Sequence, residues 1–444
     1  MRYIPLTEED KAEILSATGL ESVEKLFETI PVEVRQQTGL NLPPPMTEQT
    51  LMRHMKNLAT QNRPASGTPS FLGAGAYDHF IPAAVDQLAG RSEFYTSYTP
   101  YQPEVSQGTL QAIYEFQSYV CALFGMDAAN ASMYDGASAL AEAVLMACRI
   151  SKKSEIAISS LVHPRWRQVV RSYTKNRGIK ILEIEDHNAG TASIDTIADA
   201  VTENCAAYVV QSPNFFGNVE HLEEIRKLCA DKKLLFIVGI AEPISLGLLK
   251  PPGDFGADIV VGEGQPLGLP LSYGGPYLGL FATRQKYLRQ MPGRLCGKTK
   301  DSRGKDGFVL TLAAREQHIR RDKATSNICS NQQLCALTSS IFMTLLGKKG
   351  FCELARQNLY AARALKQKLQ STGKAKSVFD KSFFNEFVVE LEEPAADVNR
   401  RLAKNKIIGG LALSRFYAGM ENRMLLTATE KTTQAGIDKL LENL

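Results

Sequence analysis

The chain has 444 residues, too many for one small core, so two or three folding units are expected. A composition of 44% hydrophobic and 22% charged residues is that of an ordinary globular protein, and a formal net charge of +4 with bases and acids interspersed gives no ground for a nucleic-acid partner. No apolar run has the length of a membrane span, and the first ten residues lack a signal-peptide core and turn acidic by Glu8, so a cytoplasmic protein with no membrane contact is expected.

Residues 1–62 read as a helical arm. Thr7 can cap a helix whose first turn carries Glu8, Glu9 and Asp10, and Gly19 can stop it. Val23, Leu26, Phe27 and Ile30 recur at helical spacing before Pro31, and a further helix follows Thr47 with Leu51, Met52, Met55 and Leu58 on one face. Such an arm serves packing, commonly onto a partner, more often than chemistry.

Residues 63–330 alternate short branched runs with amphipathic helices. The runs lie at 156–158, 179–184, 206–210, 234–238 and 259–261, with helical stretches such as 193–202 and 222–229 between them. That alternation predicts a mostly parallel sheet covered on both faces, with ligands beyond the carboxyl ends of the strands. From 331 to 444 the rhythm changes. Helices are expected at 331–346 and 351–369, then a strand at 387–391, a helix near 395–403, a strand at 424–429 and a helix after Thr433. This is a small α+β domain. The eight cysteines form no C-x-x-C pair and read as buried free thiols, and the six histidines show no i,i+4 pairing, so no metal site is expected.

An α/β domain followed by a small α+β domain in this length is the layout of fold-type-I pyridoxal phosphate enzymes, an analogy of fold and not of function. Such a site needs a helix N-terminus for the phosphate, a ring-stacking group, a carboxylate against the pyridine nitrogen and a Schiff-base lysine. Gly136, Ala137 and Ser138 open a helix after Asp135, either as a phosphate cup or as a plain capped start. His163 stands at a strand end, where a lone histidine is more often structural than stacking. The carboxylate is missing: the strand at 234–238 runs into Gly239, and Glu242 lies three residues further on. The lysine is missing too, because none lies between Lys250 and Lys286.

The loop GEGQPLGLPLSYGGP at 262–276 resembles the lysine-free counterpart of the cofactor loop in the P-proteins of the glycine cleavage system. So do FLGAGAYDH at 71–79, YTPYQPEVSQG at 98–108, MYDGAS at 133–138 and REQHIRRDKATSNI at 315–328. Together these strings span most of the chain. The resemblance implies one of two homologous subunits of a glycine dehydrogenase that is active only as a complex. The sister subunit would hold pyridoxal phosphate covalently, and this chain would hold none. The pair would decarboxylate glycine and pass the aminomethyl group to the lipoyl arm of the H-protein, alongside the T- and L-proteins. Aligning the loop on 274–276 places Gln265 where the sister has lysine, and aligning it on the preceding strand places Pro266 there. No catalytic residue is then expected in this chain alone.

Gly136, Ala137, Ser138, His163, Gly239, Gln265 and Pro266 would form a vestigial pocket. In folds of this type the segment before the first large helix commonly crosses to the neighbouring subunit. Tyr95, Tyr98, Tyr101, Gln102 and Glu104 therefore either line the sister's pocket or form an aromatic interface patch. Arg315, Arg320, Arg321 and Lys323 either order an interface, meet acids on the H-protein, or are solvated or ion-paired.

Overall fold

The structure, a computed structural model, describes residues 5–35, 39–62, 64–65, 67–328 and 330–444. The chain divides into two units, Met1–Arg63 and Pro64–Leu444. In the first, helix Glu8–Thr18 starts on a capping box between Thr7 and Asp10 and stops at Gly19, whose φ of 69° needs no Cβ to be strain-free. The stretch before Pro31 forms only a short 3₁₀ turn, Val23–Phe27, and helix Glu48–Ala59 is capped by Thr47.

The second unit is built on a seven-stranded sheet. Its strands are β1 (Ala128–Ala129), β2 (Glu155–Ser159), β3 (Lys180–Ile184), β4 (Cys205–Gln211), β5 (Leu235–Ile240), β6 (Ile259–Glu263) and β7 (Gly279–Thr283). They lie in the order β1-β7-β6-β5-β4-β2-β3. Every pairing from β3 to β6 is parallel, while β7 is antiparallel to β6 and to β1. Side chains alternate between two cores as the pleat requires. Tyr208, Val210, Phe236, Val238 and Val260 pack with helices Gln107–Phe124 and Leu222–Asp231 on one face. Ala207, Val209, Ile237, Ile259 and Val261 pack with helices Gly136–Ser151 and Pro164–Thr174 on the other.

A hairpin of β8 (Leu295–Lys300) and β9 (Asp306–Thr311) follows. The two helices expected after 330 form one 39-residue element, Gln333–Ser371, broken at Gly347 (φ 57°, ψ −178°). Its first half supplies Cys335, Ala336 and Phe342 to the sheet core; its second half supplies Ala362, Leu365 and Leu369 to a separate core. That second core lies against an antiparallel sheet of β10 (Lys376–Ser377), β11 (Glu386–Glu390), β12 (Leu411–Ala412) and β13 (Arg423–Thr427), ordered β10-β11-β13-β12. Helices Ala395–Lys404 and Gln434–Asn443 complete it. Among the described residues, no helix is long and apolar enough to cross a membrane, and seven cysteines are free. Cys329 lies outside the described residues.

Candidate functional site

The carboxyl ends of β4, β5 and β6 and the start of helix Gly136–Ser151 meet in one crevice. Asp135 caps that helix by accepting from the Ser138 N–H at 2.7 Å, and the Asp135 N–H donates to Ser138 Oγ at 3.2 Å. The Gly136 N–H, which points where an anion would lie, donates instead to Glu263 Oε2 at 3.0 Å. Glu263 Oε1 accepts from the N–H groups of Gln265 (3.0 Å) and Leu278 (3.2 Å). The carboxylate at the end of β6 thus occupies the helix terminus with three backbone donors. Burial pushes its pKa up to about 8 against the lowering effect of those donors.

The neighbouring space is taken by the indole of Trp166, on helix Pro164–Thr174. A methyl group on Gly136 would collide with the indole, and one on Gly239 would lie 3.3 Å from it. The two glycines are what let a buried bicyclic ring sit over the strand ends. The His163 ring stacks on Trp166, with centroids 6.1 Å apart and planes 27° apart. His163 Nε2 donates to the Ala74 carbonyl at 2.9 Å and Nδ1 accepts from the Arg165 N–H at 3.1 Å. These roles fit a neutral imidazole, and burial pulls its pKa down to about 4.

Gln265 is equally committed. Its Oε1 accepts from the Tyr77 N–H at 2.8 Å, and its Nε2 donates to the carbonyls of Tyr77 (2.9 Å) and Leu269 (2.8 Å). Pro266 is buried beside it, and Ala137 packs against the core around Trp166. Glu263, Trp166 and Gln265 thus fill the crevice where the sequence led us to expect a vestigial phosphate cup, ring slot and amine position. The residues present do not fit pyridoxal phosphate. Glu263 and Trp166 escaped the reading of the sequence. The available signals were an acid directly before Gly264-Gln265 and the chain's single tryptophan.

Glu242, the acid that follows β5 in the chain, is committed to other partners. It pairs with His79 Nε2 at 2.9 Å and accepts from Asn385 Nδ2 at 3.2 Å, while His79 Nδ1 meets Glu430 at 2.9 Å. Burial works against a charged His79, but the two carboxylates outweigh it and raise its pKa to about 10. Two residues earlier, the Tyr77 hydroxyl donates to Glu386 at 2.7 Å, which also accepts from the Ala74 N–H (2.6 Å) and Thr427 Oγ1 (2.8 Å). Residues 71–79 are thus a strap anchored in both cores. Its glycines have no spare room: a Cβ at Gly75 (φ 100°) would lie 2.8 Å from His163.

The tyrosine segment lies elsewhere and is open. Tyr95, Tyr98 and Tyr101 are 63%, 75% and 65% exposed, and Gln102 and Glu104 are exposed as well. Tyr101 alone of the five lines a pocket of about 580 Å³, whose wall includes Arg294, Glu316, His318, Arg321 and Asn327. Arg294 lies 5.7 Å from the Tyr101 ring centroid and donates to Thr99 Oγ1 at 2.9 Å. At the wall, Arg321 has φ 53° and ψ −121°, a costly conformation for a residue with a Cβ. Arg294, Glu316 and His318 were not foreseen at this pocket, because 193 to 217 residues of sequence separate them from Tyr101. The pocket combines hydroxyl, imidazole, guanidinium and carboxylate groups and is open to solvent, so a second surface could close it.

The model of the family described as glycine cleavage system P-protein matches residues 1–444. A Desulfitobacterium hafniense protein described as probable glycine dehydrogenase (decarboxylating) subunit 1 is 50% identical over 441 residues, covering 99% of this chain and 98% of that protein. A Bacillus cereus protein of the same description is 49% identical over 443 residues, covering 100% and 98%. The crystal structure of an inhibitor-bound glycine decarboxylase, the P-protein of the glycine cleavage system, superposes with a TM-score of 0.90 at 42% identity, covering 100% of each chain.

Proposed function

Because the chain belongs to the glycine cleavage system P-protein family, we propose that it is the subunit of a two-subunit glycine decarboxylase that carries no cofactor of its own. Pyridoxal phosphate belongs to the homologous second subunit, which supplies the electron sink for loss of the glycine carboxylate. The aminomethyl group then passes to the lipoyl arm of the H-protein, within the system that includes the T- and L-proteins. The single observation that carries this reading is the crevice closed by Glu263, Trp166 and Gln265.

This chain's share of the work lies at its open pocket. Tyr101 is a large plate with a hydroxyl at its tip, and Pro100 and Pro103 stiffen the backbone around it. Apposed to the second subunit, Tyr95, Tyr98 and Tyr101 exclude water from the shared site and hold a proton donor there. Gln102 and Glu104 flank that edge. We place the complex in the cytoplasm; among the described residues no helix is long and apolar enough to cross a membrane.

The test is glycine–bicarbonate exchange with H-protein, measured on this chain alone, the second subunit alone and the pair. Activity only in the pair is expected, with Tyr98→Phe or Tyr101→Phe lowering it by about ten- to a thousandfold while pairing survives. Exchange by this chain alone would overturn the assignment.

A further inference from the structure

The segment from Leu312 to Ile328 has two sides. One lines the tyrosine pocket through Glu316, His318, Arg321 and Asn327. The other lines a second depression of about 270 Å³, where four of the seven wall residues are cations: Arg289, Arg315, Arg320 and Lys323. None of the seven is acidic. In a chain with 51 basic and 47 acidic residues, four cations around one hollow without a carboxylate depart sharply from the average mixing of signs.

Their hydrogen bonds leave most of that charge uncommitted. Arg289, Arg320 and Lys323 are exposed, and no ion pair involves them among the described residues. Arg320 gives only its Nε, to the Ala314 carbonyl at 3.1 Å. Arg315 clamps the carbonyls of Met291 and Gly293, while its Nε is buried with no acceptor. Glu316, the acid that acts on Arg315, and Asp322 face the other side. Glu316 lies 3.8 Å from both Arg294 and His318, and Asp322 lines the tyrosine pocket. Leu312 and Ala314 are the only apolar walls, too few to bury a small ligand. A single-sign, shallow and open surface suits the acidic face of another protein, whose approach it would steer.

We propose that this depression docks an acidic surface of the lipoyl carrier, holding the carrier where its arm can enter the adjoining tyrosine pocket. The proposal rests on the function proposed above. One 17-residue segment, 312–328, borders both hollows, so a protein seated on one side has the other pocket within a short reach.

The experiment uses the assembled two-subunit enzyme and measures exchange against H-protein concentration, with free lipoic acid as a second acceptor. Arg320→Glu/Lys323→Glu is compared with wild type and with the charge-conserving Arg320→Lys/Lys323→Arg. The expected result is a KM for H-protein raised about tenfold or more, with kcat within about twofold, a weaker salt dependence and unchanged exchange with free lipoic acid. Charge conservation should restore the KM. An unchanged KM for H-protein overturns the proposal. So does an equal loss with free lipoic acid, which would mark a small-anion site, or a loss of subunit pairing, which would assign the patch to the interface between subunits. If the wild-type pair shows no exchange at all, the underlying function fails instead, which direct titration of H-protein onto the pair distinguishes.

Discussion

Replacing Trp166 with alanine removes the ring that fills the crevice. A buried tryptophan hides about 150–250 Å², and at about 25 cal/mol per Å² its loss corresponds to roughly 4–6 kcal/mol as an upper bound. Large-to-alanine core changes of this kind cost about 3–5 kcal/mol. Trp166 is 5% exposed and wedged against Gly136 and Gly239, two residues that cannot extend side chains into the hole, so little collapse is expected and the cost should fall in the upper part of that range. Urea unfolding monitored by circular dichroism measures it. Indole should refill the cavity, and at a hundredfold excess over its Kd it would restore about 2.7 kcal/mol. In the parent protein, emission from the only tryptophan reports directly on the crevice. A cost below about 1 kcal/mol, with no stabilisation by indole, would refute the claim that this side chain replaces a cofactor ring.

Three further outcomes follow from the same geometry. Gln265→Lys should gain no stoichiometric borohydride-reducible adduct with pyridoxal phosphate at position 265, because Trp166 and Glu263 still fill the ring and phosphate places; a stoichiometric adduct there would show that the crevice is open. The pKa of His79 is raised in the fold to about 10 from an ordinary 6.5, so its contribution to stability is complete below pH 6.5 and disappears as pH rises through about 10. Thermal melts should show this alkaline loss in the parent and not in His79→Gln, which should itself cost about 3–5 kcal/mol by leaving buried carboxylates unpaired; identical alkaline profiles would contradict the bridge. Burial raises Glu220 and Glu386 to about 7 and Glu263 to about 8, from 4.5, so these groups favour the fold below pH 4.5 and their contribution declines as pH rises through 7–8. Glu386→Gln should flatten the fall in melting temperature between pH 5.5 and 8, and an unchanged slope would remove Glu386 from that account.

The sheet was legible in the sequence because its inner parallel strands are buried on both faces and read as branched runs, and the half-buried edge strand β3 keeps three branched or apolar residues; β2 through β6 fall on the expected stretches within a residue or two. The helix starts at Thr7, Thr47, Asp135, Ser193 and Thr433 were legible from local sequence, and in the structure each of these side chains caps its helix. β1, β7 and the β8–β9 hairpin were not, since two-residue strands and Gly- or Lys-rich strands carry little periodic signal. At the crevice, the sequence disclosed the missing lysine and aspartate and pointed to Gln265 at the lysine's place, but left Glu263 and Trp166 unread. Glu263 touches Gly136 across 127 residues, and no local pattern reports a contact of that span. Tyr101 was visible as part of a tyrosine cluster, whereas its pocket required the hairpin and the segment after it to fold back.

The strap at 71–79 carries a consequence for the chain during synthesis. Its Tyr77 contact with Glu386 spans 309 residues, and its His79 contact with Glu430 spans 351. At about 5–20 residues per second a ribosome needs roughly 18–70 s to travel from His79 to Glu430. Glu242, Gln265 and Glu386 emerge in turn during that interval, but His79 gains its second carboxylate, Glu430, only at its close. Contacts of such span form late, so the anchor at Glu430 is the last to be set: a nascent chain stalled or cleaved before Glu430 leaves His79 and the Phe80 N–H without that carboxylate.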